Sequence, residues 1–199
     1  MRIIAGTARG RTLIAPKGRS TRPTQDYVRE SLFNIIQRDV PDAVVLDLFA
    51  GSGALALEAL SRGAAQAAMV DRSRQAIDCI RRNTEALGFT ERANILQGDW
   101  RSAIERLSNT QNRFDLVFLD PPYDLVLYAG ITELLRTDKL LAQGALIVIE
   151  HQRNASLELS PFFLLRDIRT YGDTAIHLFT FDTGGNADGK QAVRLPRKL

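Results

Sequence analysis

Three acids, Asp47, Asp71 and Asp120, each end a short apolar run, and Asp99 follows another run, Ala93–Leu96, after Gln97-Gly98. The first opens Asp47-Leu48-Phe49-Ala50-Gly51-Ser52-Gly53, between Val44-Val45-Leu46 and the helix formers Ala54-Leu55-Ala56-Leu57-Glu58-Ala59-Leu60. Such a strand–turn–helix junction faces the ligand crevice of an open parallel sheet. Gly51 and Gly53 let a ligand approach the backbone, and the helix start behind them offers free N–H groups. Gly51-x-Gly53-x-x-Ala56 followed by Asp71 also loosely fits a dinucleotide fingerprint, and a tight turn binding nothing is a third reading. Asp47 argues against the dinucleotide, whose fingerprints run from apolar strand directly into glycine. The last acid opens Asp120-Pro121-Pro122-Tyr123. Two prolines can neither continue a helix nor donate to a sheet. They make a stiff turn that fixes a carboxylate beside a prolyl carbonyl, with an aromatic ring next to both.

The elements that must position these residues alternate. Ile3-Ile4-Ala5 and Thr12-Leu13-Ile14 predict a small hairpin with Arg9 and Arg11 at its tip. A Pro/Gly-punctuated loop from Pro16 to Pro23 follows, then a helix capped by Thr24 and running to about Arg38. Strands are predicted at 44–46, 67–70, 93–96, 114–119 and 145–149. Helices are expected from Ala54 toward Gly63, from the Ser73 cap to Leu87, from Asp99 to about Leu107, and over 126–138. Phe162–Arg166 and Ala175–Phe179 surround Tyr171-Gly172-Asp173 and predict a closing antiparallel hairpin. The pattern is α/β, a mostly parallel Rossmann-like sheet with right-handed crossovers. Three segments are expected: a hairpin–helix extension over 1–40, the sheet domain over 41–182, and a basic mobile tail over 183–199.

Composition bounds the function. The 199 residues are 45% hydrophobic and 25% charged, ordinary for a soluble domain, and no apolar run reaches membrane-spanning length. Arg9 and Arg11 arrive before a signal-peptide core could form, and Cys79 is the only cysteine, which excludes an internal disulfide and CxxC metal sites. A cytoplasmic protein is expected. His151 and His177 are isolated in the sequence, so no metal site and no catalytic triad is expected. The net charge of +3 conceals an asymmetry. Residues 1–38 carry eight cations against two acids, and 183–199 carry four against one, leaving the middle at −6. Basic ends on an acidic body point to a polyanionic partner.

Asp120-Pro121-Pro122-Tyr123 resembles the signature of methyltransferases acting on amino nitrogens conjugated with a π system, and the Asp47 turn resembles the S-adenosylmethionine (AdoMet) site of class I methyltransferases. In that chemistry Asp120 and the Pro121 carbonyl would accept both N–H bonds of the target amino group. The nitrogen then turns pyramidal and its lone pair becomes available, an instance of electrostatic preorganisation. Tyr123 would stack on the base. Arg2-Ile3-Ile4-Ala5-Gly6, Arg9-Gly10-Arg11 and the run Thr21-Arg22-Pro23-Thr24 through Asp26, Val28-Arg29-Glu30 and Leu32-Phe33-Asn34 narrow this further. With the two motifs above they resemble the bacterial guanine-N2 methyltransferases of 16S ribosomal RNA, the RsmD type, over about residues 1–182. Tyr27 replaces a residue more often basic there, and Ala56 one often glycine.

The resemblance implies methyl transfer from AdoMet to a guanine N2 in 16S ribosomal RNA, by a monomer acting on a small-subunit assembly intermediate. It places the cofactor on Asp47, Phe49, Ala50, Gly51, Ser52, Gly53, Asp71, Arg72, Asp99 and Trp100, and the RNA on Arg9, Arg11, Arg19, Arg22 and Arg29. The residues alone do not choose guanine over adenine or cytosine. A DNA amino-methyltransferase, a protein-glutamine methyltransferase and a non-catalytic RNA-binding module are the rival readings.

Overall fold

The computed structural model describes residues 1–16, 23–110, 112–121, 128–153 and 157–184. Its elements are α1 (Pro23–Ile35), β1 (Val44–Asp47), α2 (Ala54–Ser61), β2 (Gln66–Asp71), α3 (Arg74–Leu87), β3 (Ala93–Gln97), α4 (Trp100–Ser108), β4 (Phe114–Leu119), α5 (Tyr128–Thr137), β5 (Leu141–Gln152), β6 (Phe163–Tyr171) and β7 (Thr174–Phe181). The strands form one sheet in the order β3-β2-β1-β4-β5-β7-β6. The first five are mutually parallel, and β7 runs antiparallel to both its neighbours. From β1 the chain winds outward to β2 and β3, then returns to lay β4 and β5 on the other side. That reversal opens a crevice at the carboxyl ends of β1 and β4.

Alternation along the strands divides the core into two layers. Val45, Met69, Phe118 and Val148 pack under α1, α2 and α3, while Leu46, Val70, Leu119 and Ile149 pack under α4 and α5. The helix termini are made locally: the Ser73 side chain accepts from Ala76 N–H, and Gly88 closes α3 in the left-handed region.

Three expectations change at the edges. Helix α1 begins at Pro23, whose missing N–H costs nothing at the first helical position, so Thr24 lies inside the helix rather than capping it. It ends at Ile35, short of Arg38, where Ile36 turns into the core. Strand β5 extends to both sides of 145–149, because Leu141 pairs with Phe114 ahead of a register shift and Gln152 pairs with Thr174.

The amino-terminal hairpin contracts to a single bridge, Arg2 opposite Thr12. Its loop bonds α2 instead. Ile4 and Ala5 N–H donate to the Glu58 carboxylate (2.7 and 3.0 Å), and Ala8 N–H donates to Ser61 Oγ (3.0 Å). Gly6 has φ +82°, and a Cβ there would lie 1.9 Å from the Ser61 carbonyl oxygen, so only glycine fits. Ile3, Leu13 and Phe33 join the same core layer as the sheet. Among the described residues no helix is long and apolar enough to cross a membrane.

Candidate active site

Sheet order and alternation bring four acids into one row. Asp71, Asp47, Asp120 and Glu150 lie at the carboxyl ends of β2, β1, β4 and β5, which are consecutive in the sheet. Each stands one residue past an inward side chain of the α4–α5 layer, so all four lie on the α1–α3 side. Asp47 is central and 1% exposed. Burial and the charges of Asp120 and Asp71 push its carboxyl up to about 7, against the N–H groups of Phe49 and Ala56. Its Oδ1 has no hydrogen-bond partner among the described residues. A buried acceptor left open costs stability, so a donor or cation belongs beside it.

Asp71 holds the glycine turn in place. Gly51 N–H donates to its Oδ2 (2.9 Å) and Ser73 N–H to its Oδ1 (2.8 Å). The turn tightens further where Ala50 N–H donates to the Val70 carbonyl (2.9 Å) and Gly53 N–H to the Ala50 carbonyl (2.7 Å). Gly53 has φ +81°, and a Cβ there would press on Leu57, Met69 and Ile80 at 3.2–3.4 Å. The Ser52 carbonyl accepts from Asn83 Nδ2 (2.9 Å), the same amide that bonds Ile14, so turn and amino-terminal segment share an anchor. Phe49 is half-buried and Arg72 exposed.

Asp99 caps α4, accepting from Arg101 N–H (2.9 Å), Ser102 N–H (3.2 Å) and Ser102 Oγ (2.9 Å). Those bonds, led by the Ser102 N–H, hold its carboxyl below the usual range. Trp100 turns into the α4 layer with the Arg101 guanidinium 4.4 Å from the centre of its ring. Pro121 is buried, and Asp120 is half-buried beside it. Pro122, Tyr123, Arg19 and Arg22 lie outside the described residues.

The arginines divide. Arg9 and Arg11 are exposed on the amino-terminal loop, and Arg11 donates to the Ala86 carbonyl at the end of α3 (2.6 Å). Arg29, expected among the RNA contacts, is 5% exposed. Its guanidinium donates to the Arg2 carbonyl and to Asp26 (3.1 Å) and lies 4.0 Å from Glu58. It ties α1 to the amino-terminal loop and points away from solvent phosphates. The charge pattern that placed it among surface cations carries no information about direction.

Four buried or half-buried titratable residues escaped the sequence reading. Glu150 ends the apolar run Ala145–Ile149, the same signal that marked Asp47, Asp71 and Asp120. Burial and the Asp120 charge push it up to about 8. Glu58 is an acid inside an apolar helix and 0% exposed. His151 and His177, isolated in the sequence, meet across β5 and β7, with Nε2 2.7 Å from Nδ1. Burial and His151 push His177 down to about 4. No cluster that could hold a metal ion occurs among the described residues.

Comparison with known proteins decides the family. The model of the family described as Conserved hypothetical protein 95 matches residues 1–180. The chain belongs to this family, the RsmD family. It is 37% identical over 180 residues to the putative rRNA methyltransferase YlbH of Bacillus subtilis, covering 90% of this chain and 98% of that protein. It is 35% identical over 189 residues to ribosomal RNA small subunit methyltransferase D of Escherichia coli, covering 94% and 93%. Among solved structures, a putative methyltransferase from Escherichia coli, yhhF, superimposes with TM-score 0.80 at 36% identity, covering 92% and 98% of the two chains. An RNA methyltransferase from Salinibacter ruber, in complex with S-adenosyl-L-homocysteine, shares the fold at 17% identity, with TM-score 0.61 and coverage of 89% and 99%. The sheet is therefore that of the class I methyltransferases, and both the expected fold class and the RsmD resemblance are borne out.

Proposed function

We propose that this RsmD-family chain methylates ribosomal RNA with AdoMet, at the N2 amino group of a guanine in the small-subunit RNA. The observation that carries the reading is the placement of Asp47, with its open buried oxygen, on the strand next to Asp120-Pro121. One position calls for a cationic or donor ligand, and the adjoining one offers paired acceptors to a second ligand. The names of the B. subtilis and E. coli relatives support RNA as that second ligand.

The residues fit AdoMet. Asp47 is an acceptor at the methionine end, and Asp71 retains lone pairs for ribose hydroxyls after holding Gly51 and Ser73. Asp99 has remaining acceptor capacity for the adenine amino group beyond its cap. When bound, AdoMet supplies a methyl carbon made electrophilic by its sulfonium. The chain's own contribution is positional. Asp120 and the Pro121 carbonyl accept the two N–H bonds of the target nitrogen, aim its lone pair, and leave Asp120 to receive the proton that alkylation releases. A guanine reaches such a crevice only by leaving its stack. Arg9, Arg11 and Arg19 supply phosphate contacts that add affinity without reading sequence.

The test is transfer of tritiated methyl from AdoMet to naked small-subunit RNA, small ribosomal subunits, duplex DNA and protein extract, followed by nucleoside analysis. Label in 2-methylguanosine of the small-subunit RNA is expected. Label confined to DNA or to protein overturns the reading.

A further inference from the structure

We propose that Glu150 reads the target base: its carboxylate accepts the ring N1–H of guanine while Asp120, on the adjoining strand, holds the N2 amino group. The inference rests on the guanine-N2 reading above and names the residue that would enforce it.

The geometry comes from the sheet. Leu119 of β4 is in register with Ile149 of β5, the last pair between these strands, and Asp120 and Glu150 each follow that pair by one residue. They are close enough there for the Asp120 charge to act on Glu150. The backbone at Glu150 is held on both sides: Tyr128 Oη donates to its carbonyl (3.1 Å), and Ile176 of β7 pairs with it. Its carboxyl accepts no hydrogen bond from another described residue, although half-buried beside another acid. Burial and Asp120 push it up to about 8, and a neighbouring N–H donor is what would let it ionise there.

The chemistry selects the base. Adenine, cytosine and guanine all carry an exocyclic amino group, but only guanine has a ring N–H beside it. Adenine and cytosine offer a lone pair at that place. An ionised carboxylate is acceptor-only, so it bonds the guanine edge and repels the other two. Asp120-Pro121 alone accepts any amino group; Asp120 with Glu150 matches two adjacent N–H donors on one ring. A site built to bond an N–H rejects the analogue lacking it strongly, because its own buried group is left unpaired.

The experiment uses the small-subunit RNA carrying either guanine or 2-aminopurine at the methylated position. 2-Aminopurine keeps the N2 amino group but has a lone pair at N1. Single-turnover methylation is measured for wild type, Glu150→Leu and Glu150→Asp, with AdoMet affinity by calorimetry as the check on folding. Wild type should prefer guanine by roughly 10²-fold or more. Glu150→Leu, which offers N1 neither acceptor nor donor, should lose roughly 10²-fold on guanine, lose little on 2-aminopurine, and bind AdoMet normally. Glu150→Asp should be slower on both yet keep the guanine preference. An unchanged preference in Glu150→Leu, or equal losses on both bases, overturns the assignment while leaving guanine methylation intact. Absence of guanine-N2 methylation by wild type overturns the underlying reading instead.

Discussion

Among the described residues two carboxylates are withdrawn from water, Glu58 at 0% and Asp47 at 1% exposure, and the fold treats them oppositely. Glu58 is surrounded by donors: Ile4 N–H and Ala5 N–H, the Arg62 guanidinium at 2.7 Å, and Arg29 at 4.0 Å. Asp47 has acidic neighbours and one oxygen with no donor. The described residues complete the first charge and leave one oxygen of the second open, which in the proposed function the cofactor completes. Burial of an acid is thus not a mark of function; incomplete satisfaction of a buried acid is the better guide.

The contrast breaks most visibly at Glu58. Glu58→Ala leaves Arg29 buried with one fewer counter-charge and two amides without acceptors. It should destabilise the fold by about 3–5 kcal/mol, the range for removing one partner of a buried pair. Urea denaturation measures it, and a loss under about 1 kcal/mol would show that the cluster is dispensable.

At the crevice the cost should fall on rate. Asp120→Ala should lower single-turnover methylation by roughly 10²–10³ with AdoMet affinity within about tenfold. Asp120→Asn, which keeps an acceptor oxygen, should be milder. Near-wild-type turnover in Asp120→Ala would remove the residue from the mechanism.

Asp47 sharpens the comparison through pH. Its folded value of about 7 lies above the ordinary unfolded carboxyl range near 4. Its contribution to stability is therefore fully present below about pH 4 and is lost as pH rises to about 7. Asp47→Asn lacks that loss, so the stability difference should move in the variant's favour across this window, by roughly 4 kcal/mol at most. Urea titrations at the two ends decide it. AdoMet binding to wild type should strengthen over the same window as Asp47 ionises, and the variant's should not.

The smallest effect is expected at the exposed loop. Arg9→Ala with Arg11→Ala should reduce the log–log salt slope of RNA binding by roughly two and spare AdoMet. An unchanged slope would mean that these charges only face solvent.

Much of this is legible in the amino-acid sequence. Asp47, Asp71 and Asp120 could be placed because each ends an apolar run and a parallel sheet brings strand ends together. Glu150 carries the same signal, but no glycine or proline follows it to mark a turn. What stayed hidden depends on register and direction. The antiparallel pairing that joins His151 to His177 is not written in either strand, and α2's helix formers do not say that Glu58 faces inward. A charge sum places Arg29 among the surface cations because it is blind to where a side chain points.

The amino-terminal loop has a consequence in time. Its anchors lie far along the chain: Ile4 waits for Glu58, Ile14 for Asn83, and Arg11 for Ala86. At about 5–20 residues per second, the ribosome makes these partners several seconds after the loop itself. The loop therefore docks only after α2 and α3 have been made. Mutations at Ile3 or Leu13 should change the unfolding rate and leave the folding rate nearly alone, a φ-value close to zero. The glycine turn shares Asn83 with this loop, so the turn takes its finished form only when the amino-terminal segment has docked.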